Sequence, residues 1–96
     1  MNPHILMVID NQLNPNKYTE EQLEQNTEDA GAYATATAYA AAAAYAYAAA
    51  ANAYDATTYA DAGAYAAAVD YWLNQYFKQT GENKQDYIDA INKDNK

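Results

Sequence analysis

The chain of 96 residues contains no cysteine, serine or arginine, and His4 is its only histidine. The absence of cysteine excludes disulfides, thiolate nucleophiles and cysteine-based metal sites. Without serine, the remaining hydroxyl nucleophiles are threonine and tyrosine, and no threonine lies beside His4 in the sequence. Asp55 paired with Asp61 or Asp70 could exchange protons, but isolated acids on helices usually face solvent. We therefore expect a non-enzymatic protein that uses no cofactor and no metal.

Basic residues are scarce, since five lysines stand against thirteen acids and the net charge is −8. Proteins that bind nucleic acid usually neutralise phosphates with lysine and arginine. We therefore expect no direct binding to nucleic acid. A strongly acidic surface instead favours solubility and attraction to basic partners.

Strongly apolar runs of membrane-spanning length are also missing. No charge occurs between Asp29 and Asp55, a distance close to the roughly 20 residues that a transmembrane helix needs. This stretch holds no Leu, Ile, Val or Phe, and both its flanks are acidic. The apolar run at residues 5–9 is short and has no basic flank, which is unlike a signal peptide. We expect no membrane association.

The middle of the chain, residues 30–68, consists mainly of alanine with regularly placed tyrosines. Alanine has the highest helix propensity, and tyrosine supplies a large ring with a polar tip. Residues 32–40 are an exception, because alanine there alternates strictly with tyrosine or threonine, which is the period of a strand. We interpret the block as helical and keep a β-rich or self-assembling alternative open.

The sequence predicts an all-α single domain over residues 1–96. Pro3 opens a short apolar helix over 2–13, and Thr19 followed by Gln22 is typical of a capping box. We predict two long Ala/Tyr-rich helices over 19–51 and 53–79, packed as an antiparallel hairpin, and a short amphipathic helix over 83–93. The hairpin turn is expected near residues 52–58, where Asn52, Asp55, Thr57 and Thr58 are weak helix formers. Because large apolar side chains are few, an oligomer is an alternative on energetic grounds.

A candidate partner-binding surface combines acids with tyrosines. One ridge of carboxylates recurs every four residues near the start of the first long helix, and tyrosine is enriched at interface hot spots. The candidate residues are Glu20, Glu24, Glu28, Tyr39, Tyr45 and Tyr59.

Three stretches carry a family resemblance: residues 4–10 (HILMVID), residues 18–23 (YTEEQL, with Asn26 following) and residues 70–83 (DYWLNQYFKQTGEN). In these stretches the chain resembles a group of small, uncharacterised accessory proteins of tailed bacteriophages, whose ends flank an Ala/Tyr/Asp-rich centre of variable length. The centre of this chain is poorer in aspartate than that pattern. The resemblance implies no activity and no catalytic residues. It implies a protein made in the cytoplasm of an infected bacterium that acts on a host or defence component.

The leading hypothesis is a phage accessory protein that binds and inhibits or modulates a host or defence protein. One alternative is a self-assembling helical protein, in which the tyrosines lie between subunits. Another is a small-nucleotide-binding sponge. A third is mimicry of nucleic acid by carboxylates, although the acids at residues 20–29 form only a thin ridge.

Overall fold

Five helices account for most of the residues that the structure describes. The structure is a computed structural model, and it describes residues 1–38, 40–59 and 62–94. The helices are α1 (Pro3–Leu13), α2 (Glu20–Ala36), α3 (Ala41–Thr58), α4 (Ala62–Thr80) and α5 (Lys84–Asp94). No strand occurs in these ranges, so the predicted all-α class is confirmed and the β-rich alternative is wrong for them.

Helix α1 begins with the side chain of Asn2, whose Oδ1 accepts hydrogen bonds from the backbone N–H groups of His4 and Ile5 at 2.8 and 3.2 Å. Pro3 occupies the first helical turn, where its missing N–H is not needed. The helix buries Ile5, Val8 and Ile9 completely or nearly so. It therefore supplies much of the aliphatic core, although it is only eleven residues long.

Helix α2 ends much earlier than the sequence predicts. Its start is the capping box of Thr19 and Gln22, with hydrogen bonds of 2.8 and 3.1 Å in the two directions. At the other end the Thr37 hydroxyl donates to carbonyls of the preceding turn, and Ala38 adopts a left-handed backbone with φ of 57°. Threonine hydroxyls compete for backbone carbonyls in this way and favour helix ends. The prediction of one helix over 19–51 is therefore wrong.

Helix α3 lies at the centre of the molecule and contacts α1, α2 and α4. Its buried side chains are all alanines: Ala43, Ala46, Ala49, Ala50 and Ala53. Glu24 contacts Tyr54 and Thr27 contacts Ala50, so α2 and α3 run in opposite directions. Gly31 permits this approach, because a Cβ there would lie 3.0 Å from the ring of Tyr47.

The break between α3 and α4 also differs from the predicted turn at 52–58. Asn52 and Asp55 lie within α3, where the amide of Asn52 donates to the carbonyl of Ala48 at 2.8 Å. The hydroxyls of Thr57 and Thr58 bond to carbonyls at 54 and 55, and Tyr59 then turns to extended backbone. The prediction of a helix over 53–79 is thus wrong, because α3 continues to Thr58 and α4 begins at Ala62.

The last two helices complete the core, with α4 packed mainly against α3 and α5 against α1. Helix α4 buries Val69, Leu73 and Tyr76, and it ends at Gly81 with φ of 73°. A left-handed residue just beyond a helix favours glycine. Helix α5 buries Tyr87 and Ile91 and contacts α1.

Two carboxylates tie the ends of α1 to neighbouring elements. Asp10 is 5% exposed and accepts hydrogen bonds from Asn14, Lys17 and Tyr18, the last at 2.6 Å. Burial and the bond to Asp10 raise the pKa of Tyr18 to about 12. The loop that leads to α2 is therefore held against α1 by charge-assisted hydrogen bonds.

The second carboxylate, Glu82, accepts hydrogen bonds from the hydroxyls of Tyr76 and Tyr87. The Tyr87 oxygen also accepts the backbone N–H of Asn2 at 3.0 Å. Burial, followed by the bond to Glu82, raises the pKa of Tyr87. One carboxylate thus links α4, α5 and the start of α1.

Candidate functional site

The acidic ridge on α2 is exposed to solvent along its length. Glu20, Glu24 and Glu28 are all exposed, as are Glu21 and Asp29. Leu23, Asn26 and Ala30 lie on the opposite, buried side of the same helix. The ridge is therefore available to a partner without any change in the packing of α2.

Two turns of this ridge meet the end of α3. The hydroxyl of Tyr54 donates to Glu24 Oε2 at 3.4 Å. Partial burial, the Glu24 charge and hydrogen bond, and the more distant charge of Glu20 raise the pKa of Tyr54. Tyr59 follows at the end of α3, is 58% exposed, and places its ring 5.7 Å from the ring of Tyr65 on α4. We call this set (Glu20, Glu24, Tyr54, Tyr59 and Tyr65) the acidic–aromatic surface.

The other sequence-predicted residues do not all join this surface. Tyr45 is half-buried near the start of α3, where its ring stacks on Trp72 at 5.7 Å and 27°. It lies about 21 Å from Tyr59 along the chain, at about 1.5 Å per helical residue. Glu28 is exposed one turn beyond Glu24, and Tyr39 lies outside the described residues. The structure therefore brings together Glu20, Glu24 and Tyr59 from the predicted set.

Charge is distributed very unevenly along the chain. Residues 18–77 contain eight acids and no lysine, arginine or histidine, whereas the acids and lysines of the remaining residues balance. The whole net charge of −8 thus resides in the segment that forms α2, α3 and most of α4. Such a one-sided field attracts cationic surfaces over distances of about one Debye length, roughly 8–10 Å at physiological salt.

A cavity of about 460 Å³ lies at the opposite end of the α2–α3 pair. Its wall is contributed by the start of α1, the end of α2, the start of α3 and the end of α4. His4 and Tyr33 belong to this wall, and their rings lie 6.4 Å apart. Pockets that hold small molecules commonly measure about 300–1,000 Å³, so the cavity has a suitable size.

No group of three or more His, Asp or Glu side chains in residues 1–38, 40–59 and 62–94 is placed to hold a metal ion. None of the helices in the same ranges is long and apolar enough to cross a membrane. Of the acids considered for proton exchange, Asp70 accepts a hydrogen bond from Gln12 at 2.9 Å, and Asp61 lies outside the described residues.

Sequence reasoning missed Tyr54 and Tyr65 as members of the surface, and it missed the cavity. Tyr54 meets Glu24 across 30 positions of chain, and a single sequence carries no signal for such a contact. Asn26 offered a weak signal, because a polar residue lies on the side of α2 that also carries Leu23. Asn26 is buried, and its side chain is hydrogen-bonded to His4.

Comparisons with protein-family models, with curated proteins and with solved structures find no match to this chain.

Proposed function

We propose that the protein is a non-enzymatic phage accessory protein that binds a host or defence protein and inhibits or modulates it. The phage context comes from the resemblance of residues 4–10, 18–23 and 70–83, and it implies action in the cytoplasm of the infected bacterium. The contact surface is the acidic–aromatic surface, extended along α2 by Glu28. The partner is expected to present lysine or arginine.

The observation that carries this proposal is that exposed carboxylates and tyrosine rings lie together on the acidic–aromatic surface. Residues 18–77 contain no basic side chain, so no positive residue of this segment neutralises Glu20 or Glu24. Tyr54 joins Glu24 to the end of α3, where Tyr59 is exposed and its ring lies 5.7 Å from the ring of Tyr65. Arginine both pairs with carboxylates and stacks on tyrosine rings, and Tyr is enriched among residues that dominate interface energies.

Affinity capture from bacterial lysate tests the proposal. The immobilised wild-type chain is compared with a surface variant, Glu20→Gln with Glu24→Gln and Tyr59→Ala. A matched control, Asp89→Asn with Asp94→Asn and Tyr71→Ala, removes two exposed acids and one tyrosine of 55% exposure elsewhere. We expect a protein that the wild type and the control retain and the surface variant loses. Equal retention by all three chains would contradict the assignment of the surface.

Self-assembly is a second candidate function, favoured by the outer face of α4. Ala64, Ala67 and Tyr71 are exposed on one stripe of this helix, and the two alanines would allow close approach of another helix. The charge of −8 on every copy acts against it. Sedimentation equilibrium over a concentration series distinguishes the two, because self-assembly raises the mass above 10.5 kDa without any host factor.

A further inference from the structure

The only histidine of the chain lines the cavity at the end of the α2–α3 pair, and a buried amide fixes its ring. Asn26 is only 6% exposed, and both of its side-chain hydrogen bonds go to His4. Its Nδ2 donates to the His4 carbonyl at 3.3 Å, and its Oδ1 lies 3.1 Å from His4 Nδ1. Because a carbonyl only accepts, the amide nitrogen faces it and the amide oxygen faces the ring. Nδ1 therefore carries the proton, and in the neutral ring Nε2 is an acceptor.

This acceptor is left without a partner. Nε2 of His4 forms no hydrogen bond with the described residues. Asn26 lies in the core and is not part of the cavity wall, whereas His4 is. The ring thus turns its Nδ1 side to the core and its Nε2 side away from it. A buried amide is costly unless it is hydrogen-bonded, and the bonds that satisfy Asn26 also hold this acceptor in one orientation.

The other polar side chains at the end of α4 are engaged with one another. The hydroxyl of Tyr76 donates to one oxygen of Glu82 at 3.1 Å, and the hydroxyl of Tyr87 donates to the other. The Thr80 hydroxyl donates to the Tyr76 carbonyl at 2.9 Å and accepts the backbone N–H of Glu82 at 3.2 Å. Across the cavity, the Thr37 hydroxyl donates to carbonyls of its own helix. These contacts leave His4 Nε2 as the unused acceptor beside them.

The charges around the cavity favour a neutral ligand. The lining includes the Glu82 carboxylate and no lysine or arginine, which disfavours an anion. The first turn of α3 lines the cavity at Ala42 and Ala43, and the positive end of its helix dipole disfavours a cation. Because the two effects oppose each other, a molecule without net charge meets the smallest electrostatic penalty.

Tyr33 supplies an aromatic face on the same wall. It is 52% exposed, and its ring lies 6.4 Å from the His4 ring, tilted by 43°. Aromatic rings attract each other with centroids about 4.5–7 Å apart, so two wall rings at this spacing can both contact one ligand ring. A flat ring that stacks on Tyr33 can therefore present its edge to His4.

We propose that this cavity binds a small, neutral, flat aromatic heterocycle that carries an N–H donor, and indole is a simple probe of this class. The ring stacks on Tyr33, and its N–H donates to Nε2 of His4. The proposal is independent of the acidic–aromatic surface, which lies at the other end of α2 and α3.

An NMR titration of the full chain with indole tests the proposal. N-methylindole is the matched ligand, because it keeps the ring and lacks the donor. We expect saturable shifts at His4 and Tyr33 with indole, and about tenfold weaker binding of N-methylindole, as expected for the loss of one hydrogen bond. Indole should also move the nitrogen resonance of His4 Nε2, which gains that hydrogen bond. The absence of shifts with indole, or equal affinity for the two ligands, would overturn the proposal.

Matched variants locate the ligand. Tyr33→Ala should weaken indole binding about tenfold, whereas Tyr71→Ala, which removes a tyrosine of 55% exposure on α4, should leave it unchanged. His4→Phe keeps a ring and removes the acceptor, so it should bind indole and N-methylindole equally. The same spectra report whether each variant is folded, and the comparison of the two ligands on the wild type needs no variant. If Tyr33→Ala binds indole as tightly as the wild type, the proposal fails.

Discussion

Two parts of one core are built on opposite principles. The terminal core, formed by α1, α4 and α5, buries large side chains: Ile5, Val8, Ile9, Leu73, Tyr87 and Ile91. The alanine layer around α3 buries only small ones: Ala30, Ala34, Ala43, Ala46, Ala49, Ala50 and Ala53. Burial of apolar area contributes about 25 cal/mol per Å², so the terminal core supplies most of the hydrophobic stabilisation. The alanine layer contributes close approach instead.

The terminal core thus supplies stability, whereas the alanine layer determines which side chains reach the surface. Because alanine leaves little room between α2 and α3, their longer side chains lie outside the layer. Glu20, Glu24 and Tyr59 are exposed there, and Tyr54 is partly so. The two parts should consequently respond to mutation in opposite ways: the terminal core to loss of volume, and the alanine layer to gain of volume.

The largest effect is expected from truncation in the terminal core. Ile9 is 1% exposed, and Ile9→Ala removes buried methyl groups and leaves a cavity. The free energy of unfolding should fall by about 3 kcal/mol. Urea unfolding followed by circular dichroism measures this. Leu13→Ala, at a residue of 46% exposure on the same helix, is the control and should cost less than about 1 kcal/mol.

Enlargement in the alanine layer should cost nearly as much. Ala49 is 0% exposed between neighbouring helices, so Ala49→Leu forces α3 away from its neighbours. The expected loss is about 2 kcal/mol, within the range for overpacked cores. Ala67→Leu, at an exposed residue of α4, should change stability by about 0.5 kcal/mol or less. If Ala49→Leu is equally harmless, the helices are not closely packed there.

A smaller effect is expected from loss of the Asp10 carboxylate, which holds the loop before α2 against α1. Burial alone would raise the pKa of Asp10, but hydrogen bonds from Lys17, Tyr18 and Asn14 outweigh it and leave the pKa below its ordinary value of 3.8. A lowered pKa in the folded state stabilises the protein above the ordinary value, and this contribution is lost as the pH falls further.

Asp10→Asn should therefore destabilise the protein by about 1–2 kcal/mol at neutral pH. The difference between wild type and variant should narrow as the pH falls through about 4 towards 2. Chemical unfolding at a series of pH values checks this. Asp89→Asn, an exposed carboxylate on α5, is the control. A difference that stays constant with pH would show that the Asp10 charge is not the cause.

The smallest effect should be a gain of stability just beyond the end of α2, where an exposed alanine adopts a left-handed backbone. Ala38 holds φ at 57°, a conformation that costs a non-glycine residue about 1 kcal/mol. Ala38→Gly should raise the free energy of unfolding by about 0.5–1 kcal/mol. Ala32→Gly, inside α2, should lower it by about the same amount. Loss of stability in Ala38→Gly would contradict the left-handed end of α2.

Local chemistry explains how far the sequence predicted this fold. The start of α2 depends on the Thr19 side chain and the end of α4 on the backbone freedom of Gly81, and a sequence displays both residues directly. The end of α2 is not displayed in this way, because alanine propensity favours continuing through residue 38. Strict alternation over residues 32–40 was the one departure from helical periodicity in this block, and α2 ends within that stretch, at Ala36.

The candidate surface was predictable in part for the same reason. The spacing of Glu20 and Glu24 follows from helical periodicity alone. Their proximity to Tyr54 and Tyr59 depends on how α2 and α3 pack against each other. It also depends on where the break between these two helices falls. Tyr45 was included with these residues as an exposed tyrosine, whereas its ring stacks on Trp72 and is half-buried.

The most direct test of the central claim is salt elution of proteins retained by the immobilised chain. If the acidic–aromatic surface binds a basic partner, that partner is retained at about 0.1 M salt. It is released near 1 M, where the Debye length falls to about 3 Å. It should be missing from a parallel column of the Glu20→Gln, Glu24→Gln, Tyr59→Ala variant. Retention of the same protein by the variant column, or no retention by the wild type, would contradict the account.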